Sequence, residues 1–180
     1  MLKIISGKYR GHKINFDFRD TTRPTSSLVK ESLFNVLQYD VLDSNFLDLF
    51  CGSGQIGLEA LSRGARHVTF VDYSKYCKDC LLSNLKKLNI DNGFDVVNQK
   101  AELYLARCEQ KFDIVFLDPP YNMGLYEKIL CLIVKNIKKD GIIVVETEKN
   151  EILGDSYGSL HIDKEYVYGK KKITVYRNLS

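Results

Sequence analysis

The sequence predicts an α/β domain: a mostly parallel sheet with helices on both faces, preceded by a short β-hairpin. Three observations carry this. Apolar, β-rich runs alternate with stretches of helical spacing from residue 46 to residue 146; strands that read as continuous apolar runs are those of a parallel sheet, each joined to the next by a crossover helix. At 180 residues, with 44% hydrophobic and 27% charged side chains, the chain has the size and composition of one globular unit and lies outside the ranges of disordered, collagenous or coiled-coil sequences. No repeat, low-complexity tract or linker divides it, and Pro24, Pro119 and Pro120 are its only prolines.

Each element has its own signal. Residues 4–6 and 13–16 flank a glycine-containing turn and predict the hairpin. Residues 25–37 predict a helix, with Leu28, Phe34 and Leu37 or Val29, Leu33 and Val36 at helical spacing and Pro24 at its start. Strands are predicted at 46–50, 68–71, 94–98, 112–117 and 142–146, with helices at 56–62, 76–88, 102–108 and 126–137 between them. Residues 160–167 and 172–176, joined by Tyr168-Gly169-Lys170-Lys171, read as two further strands forming an antiparallel edge.

Charge and cysteine usage bound the function. The formal net charge is +3, yet residues 1–30 hold seven Lys/Arg against Asp17 and Asp20, and residues 161–180 hold five against Asp163 and Glu165. Basic ends around an acidic middle suit a polyanionic partner as well as they suit ordinary solvated lysines. The longest aliphatic run, Ile142-Ile143-Val144-Val145, falls far short of a membrane span, and the first residues reach Lys3 before any apolar signal core forms, so a cytoplasmic location is expected. Five cysteines form no disulfide framework, and the lone pair Cys77/Cys80 has no second pair or clustered histidines beside it. Reduced thiols and no metal are expected.

Gly52-Ser53-Gly54-Gln55-Ile56-Gly57 follows the first buried strand and opens a helix, the context in which a G-x-G-x-x-G turn binds a nucleotide-like ligand. Asp72 ends the next strand, 20 residues after Gly52, where a carboxylate can hold ribose hydroxyls. A nicotinamide enzyme and an S-adenosylmethionine (SAM) enzyme fit this loop equally well. Asp48, four residues before Gly52, separates them: it would oppose a pyrophosphate but favours the ammonium and sulfonium charges of SAM. A buried Asp that serves only the loop's own amides is the structural alternative.

The strand at 112–117 runs into Asp118-Pro119-Pro120-Tyr121. Consecutive prolines remove two donors and leave rigid carbonyls as acceptors. A carboxylate and a proline carbonyl can together accept both hydrogens of one exocyclic amine, turning its lone pair out of conjugation toward an electrophilic methyl. Tyr121 offers a plate for base stacking, and the target base must be unpaired or flipped. The motif has no cysteine, which disfavours the covalent route to carbon methylation.

At this point the chain resembles the class I SAM-dependent methyltransferases and, more closely, the RsmD family, bacterial guanine-N2 methyltransferases of small-subunit (16S) ribosomal RNA. The resemblance runs through Ile4-Ile5-Ser6-Gly7-Lys8-Tyr9-Arg10-Gly11, Arg23-Pro24-Thr25, Lys30-Glu31-Ser32-Leu33-Phe34-Asn35-Val36-Leu37, residues 48–64 and Asp118-Pro119-Pro120-Tyr121. It implies a Rossmann-like, seven-stranded sheet and a single methyltransferase domain, 1–22 as an RNA-binding hairpin extension and 23–180 as the catalytic core. It also implies SAM contacts from Asp48, Phe50, Gly52, Ser53, Gly54, Gly57, Asp72, Tyr73, Gln99 and Ala101, with Arg23 and Thr25 toward the methionine end. Catalysis falls to Asp118, Pro119, Pro120 and Tyr121, and RNA is gripped by Lys8, Arg10 and Lys13. The partner implied is 16S rRNA in an assembled or assembling small subunit, with the enzyme taken as a monomer. Where relatives often carry Asp before Ala, this chain reads Asn98-Gln99-Lys100-Ala101, so Gln99 or a backbone carbonyl would replace the carboxylate that holds adenine's amine. The competing readings are a DNA adenine-N6 methyltransferase and a non-catalytic RNA-binding module.

Overall fold

The computed structural model describes residues 2–16, 25–120 and 124–180. Two strands, β1 (Leu2–Lys3) and β2 (Lys13–Ile14), form the hairpin, followed by α1 (Ser27–Val36). Then come β3 (Asn45–Leu49), α2 (Gln55–Ser62), β4 (His67–Asp72), α3 (Lys75–Lys87), β5 (Phe94–Asn98), α4 (Ala101–Arg107), β6 (Phe112–Leu117) and α5 (Leu125–Ile133). A 3₁₀ turn (Val134–Asn136) leads into β7 (Ile137–Glu148), and β8 (Ser156–Tyr157), β9 (Leu160–Tyr168) and β10 (Lys171–Asn178) close the chain.

The main sheet has the order β5-β4-β3-β6-β7-β10-β9-β8. The first five strands are parallel, and β10 inserts antiparallel between β7 and β9. The order reverses between β3 and β6, both starting from the middle of the sheet; such a switch point opens a crevice at the carboxyl ends of the strands. The seven expected strands are present, and the two-residue β8 makes an eighth by pairing with Leu160 and His161.

Two apolar layers flank the sheet. One packs Val29, Leu33, Phe34 and Leu37 of the α1 segment, with α2 and α3, against Phe46, Phe70, Phe116 and Val144. The other packs α4 and α5 against Leu47, Val115, Leu117 and Ile143. The alternation of these side chains along each strand is what a sheet covered on both faces requires.

Three expectations shift. The hairpin pairs Leu2 with Ile14 and Lys3 with Lys13, so residues 5 and 6 are not in it. Their N–H groups instead donate to the Glu59 carboxylate of α2, at 2.8 and 2.9 Å, a stronger charge-assisted acceptor than a neighbouring strand offers. Leu28 is exposed, because the inner face of α1 is made by Val29, Lys30, Leu33 and Phe34 and Leu28 lies outside it. Ser26 caps α1, its hydroxyl accepting from the Val29 N–H, and the expected Pro24 start lies outside the described residues. Finally, β7 begins five residues early: Ile137 pairs with Phe112, after which Lys138–Gly141 bulge out, Asp140 adopting φ 58, before Ile142 resumes beside Ile114. None of the five cysteines is disulfide-bonded, and no described helix is long and apolar enough to cross a membrane.

Candidate active site

Strand register gathers the separate sequence signals into one line. Leu49 pairs with Val71 on one side and Leu117 on the other, and Leu117 pairs with Val145, so these four residues form a row across the sheet. The next residue on each strand is therefore Phe50, Asp72, Asp118 and Glu146, at the carboxyl edge of four neighbouring strands. Adjacent strands lie about 4.8 Å apart, so groups from residues 50, 72, 118 and 146 share one crevice.

The glycine loop follows β3. Phe50 holds a left-handed φ of 67, and both Phe50 and Cys51 N–H groups donate to the Val71 carbonyl, which bends the chain over the tip of β4. Gly52 has φ 53, and a Cβ there would meet nothing within 4 Å, so this side of the loop faces open space. Gly54 and Gly57 are tight for a different reason: a Cβ would fall on Leu81 and on the Phe70 ring, respectively. Ser53 is buried and its carbonyl accepts from Asn84 Nδ2 at 3.1 Å, tying the loop to α3. The α2 N-terminus opens on this crevice; its N-cap Gly54 has no side chain to cap it, and of its first-turn N–H groups that of Gly57 is taken by Asp48. Gln55 Oε1 beside them is buried without a hydrogen-bond partner.

Asp48 sits one residue below the row, 1% exposed, with Oδ2 accepting the Gly57 N–H at 2.8 Å. Burial raises its pKa to about 7, against the lowering effect of that hydrogen bond and with Asp72 and Asp118 adding repulsion. Asp72 accepts Gly52 N–H at 2.9 Å and Ser74 N–H at 2.8 Å, one on each carboxylate oxygen. Thus both acids brace the loop backbone; a carboxylate has lone pairs beyond these. Tyr73 is exposed, and Gln99 N–H donates to the Asp72 carbonyl at 3.0 Å, bringing Gln99 and the buried Ala101 at the start of α4 beside the β4 tip.

Asp118 is half-buried, followed by buried Pro119. Its pKa is raised to about 7 by desolvation, opposed by the positive charge of Lys171 and assisted by Glu148. Glu146, 1% exposed, is pushed to about 8 by burial and by Asp118, while Thr25 Oγ1 donates to its Oε2 at 3.0 Å. Lys171 Nζ lies 3.4 Å from Glu146 and 3.5 Å from Glu148. Burial lowers the Lys171 pKa and Asp118 raises it. The crevice therefore joins an acid-lined half under a glycine loop to a second acid group after β6, with one lysine beside it. Such an arrangement can hold a cationic ligand next to an amine whose hydrogens are accepted by fixed oxygens.

Comparison with known proteins adds to this geometry. The family described as Conserved hypothetical protein 95 matches residues 2–177. The chain is 37% identical over 174 residues to ribosomal RNA small subunit methyltransferase D of Buchnera aphidicola, covering 95% of this chain and 87% of that one. It is 35% identical to the Escherichia coli protein of the same name, covering 98% and 89%. The chain belongs to the RsmD family of methyltransferases. Solved structures agree: Escherichia coli yhhF superposes with a TM-score of 0.89 at 33% identity over 99% of this chain and 98% of that one. Haemophilus influenzae HI0767 gives 0.82 at 37% identity over 99% of each. The fold is that of the class I methyltransferases.

Within this RsmD-family fold, most residues singled out from sequence meet at the crevice, Thr25 among them through Glu146. Arg23 and Tyr121 lie outside the described residues. The hairpin cations do not meet there. Lys8 and Arg10 are exposed at the hairpin turn, where Lys8 N–H donates to the Ser62 carbonyl at 2.8 Å, at the far end of α2. An eight-residue helix spans about 12 Å, which separates this turn from the glycine loop. Lys13 is closer: two residues on, Asn15 exchanges hydrogen bonds with Asn84 at 2.8 and 3.0 Å, and Asn84 holds Ser53. Sequence reasoning missed Glu59, Lys30, Glu146 and Lys171 as participants. A charge inside the apolar stretch Gly57-Leu58-Glu59-Ala60 was the available signal for Glu59, and an acid ending the run 142–145 was that for Glu146. Nothing local marks Lys171, whose partners are 23 and 25 residues away. Among the described residues no group of three or more His, Cys, Asp or Glu side chains is arranged to hold a metal ion.

Proposed function

We propose that the chain is a SAM-dependent methyltransferase acting on N2 of a guanine in small-subunit (16S) ribosomal RNA, in the cytoplasm. The observation that carries this is the shared register row that sets Asp118-Pro119 directly beside the glycine loop and Asp48. The names of the full-length relatives favour ribosomal RNA over DNA as the substrate.

The residues fit the donor. Asp48 suits its cationic groups, the start of α2 ahead of Gly57 suits a carboxylate, the open side of Gly52 gives room for close approach, and Asp72, Tyr73, Gln99 and Ala101 lie in the half that would take the nucleoside. SAM bound there supplies a methyl group on a positively charged sulfur. Asp118 and the Pro119 carbonyl accept the two N–H groups of the guanine amine and aim its lone pair across the gap between β3 and β6. Asp118, poised near pH 7, takes the proton that the nitrogen sheds on methylation. Lys8, Arg10 and Lys13 hold RNA phosphates at a distance from the chemistry, so that part of the substrate crosses the flank of α2.

Incubation with labelled donor and small subunits from cells lacking the enzyme should put label into N2-methylguanine, identified by mass spectrometry. Label in adenine, or none in RNA, would overturn the assignment.

A further inference from the structure

We infer that the groove between the α1 segment and β9 is a second RNA-binding surface, holding an unpaired stretch of substrate that leads away from the nucleotide in the crevice; this rests on the RNA methyltransferase reading above. The groove has a volume of about 450 Å³, with Asn35, Gln38 and Tyr39 on one wall and Lys164, Tyr166 and Tyr168 on the other. Its chemistry follows from strand alternation. Lys164, Tyr166 and Tyr168 share the groove face of β9, while acidic residues 163 and 165 face away: Asp163 lies 3.7 Å from Arg177, and Glu165 meets Lys172 at 3.3 Å and Thr174 at 3.0 Å. The lining thus carries one cation and no acid.

The Tyr166 and Tyr168 rings are nearly parallel, 16° apart with centroids at 6.4 Å, and Tyr39 is 88% exposed. Aromatic faces with amide side chains between them fit unpaired nucleotides, whose bases stack on rings and whose edges bond amides, with the lysine on a phosphate. Tyrosines also serve protein interfaces, so what favours a nucleic acid here is Lys164 with no acid in the lining, together with amides between the rings.

At its β9 end the groove approaches the crevice. Tyr168 is the β9 partner of Lys171, which reaches Glu146 and Glu148. Thr25, just ahead of α1, bonds the same Glu146. The β9 wall therefore starts near the catalytic edge, and α1, at ten residues, carries Asn35, Gln38 and Tyr39 about 15 Å away from it. Among the described residues no strand pairs with the outer edge of β9 from Asp163 to Tyr168, so the groove is open along its side.

The test is the triple variant Tyr39→Ala, Gln38→Ala, Lys164→Ala, all three exposed and outside both core layers. With small subunits lacking the methyl group as probe, KM should rise about tenfold or more and the salt slope of binding should fall by about 0.7. Turnover at saturating substrate and donor affinity should hold, and Tyr39→Phe alone should keep wild-type KM. Unchanged KM and slope in the triple variant would overturn the proposal. So would unchanged RNA affinity with an altered sedimentation coefficient, which would make the groove a contact between copies. If the wild-type protein neither binds nor methylates the subunit, the reading of function falls and the groove falls with it.

Discussion

Single carboxylates in the crevice make the sharpest expectations. On the proposed function Asp118→Ala removes an amine acceptor and the proton's destination together, so turnover should drop by roughly 10²-fold or more with donor affinity nearly intact; single-turnover kinetics with calorimetric donor binding checks both. Equal turnover would remove Asp118 from the chemistry. Asp48 makes a pH prediction. Its pKa of about 7 means that below this value the free protein holds a neutral acid where the proposed donor would place a cation. A cationic donor favours the carboxylate, so binding releases a proton, and affinity should rise by up to about tenfold per pH unit below 7 and level off above it. Asp48→Asn should abolish that slope. A flat profile in the wild type would leave Asp48 as a brace for the Gly57 N–H and nothing more, the structural alternative that its 2.8 Å hydrogen bond keeps in view.

At the scale of elements, the hairpin is held by polar groups of α2 and not by strand pairing alone. Glu59, fully buried, takes the Ile5 and Ser6 amides, lies 3.4 Å from buried Lys30 and 2.9 Å from Arg63. Glu59→Ala would strand a buried lysine and two amides at a cost of about 3–5 kcal/mol. Gly7 has φ 83 and a Cβ there would fall on the Ser62 carbonyl oxygen, so Gly7→Ala should lift the hairpin without touching the sheet. Hydrogen exchange should then speed up in residues 2–16 while β3 to β7 stay protected; uniform protection would show that the contact yields cheaply. Lys8→Ala with Arg10→Ala should instead leave exchange alone and flatten the salt dependence of RNA binding by about one unit per lost phosphate contact. These elements also mark where sequence was readable. The strand 112–117 falls where its apolar run puts it, because a run buried on two faces has no other use, and the half-exposed edge strand 94–98 is marked by Phe94 and Val96 on one layer and Val97 on the other. The hairpin boundaries and the start of β7 were not readable, since Glu59 and the bulge at Asp140 act through partners distant in sequence or through one left-handed residue.

Across the whole molecule, the topology that makes the site also loads one edge of the sheet with buried acids. Asp48, Asp118 and Glu146 come from three strands that no local pattern links, and their pKa values rise to about 7, 7 and 8 because the fold removes them from water. Each is an acid that binds its proton more tightly folded than unfolded. The folded state therefore holds more protons than the unfolded one from about pH 4 to pH 8, the slope of stability against pH is negative there, and the contribution present below pH 4 is lost as pH passes the folded values. The sum is on the order of a few kcal/mol, shared among coupled groups. Glu146→Gln isolates one member: glutamine mimics the protonated acid and still offers Thr25 an acceptor. It should melt near wild type at pH 5 and several degrees higher at pH 9, since about 1 kcal/mol moves a protein of this size by 2–4 °C. Lys171 limits the gain by neutralising part of the Glu146 charge at 3.4 Å, so in a Lys171→Met background the stabilisation that Glu146→Gln brings at pH 9 should be larger. If Glu146→Gln melts lower than wild type at both pH values, the carboxylate is stabilising in its charged form and the edge is not strained by its acids.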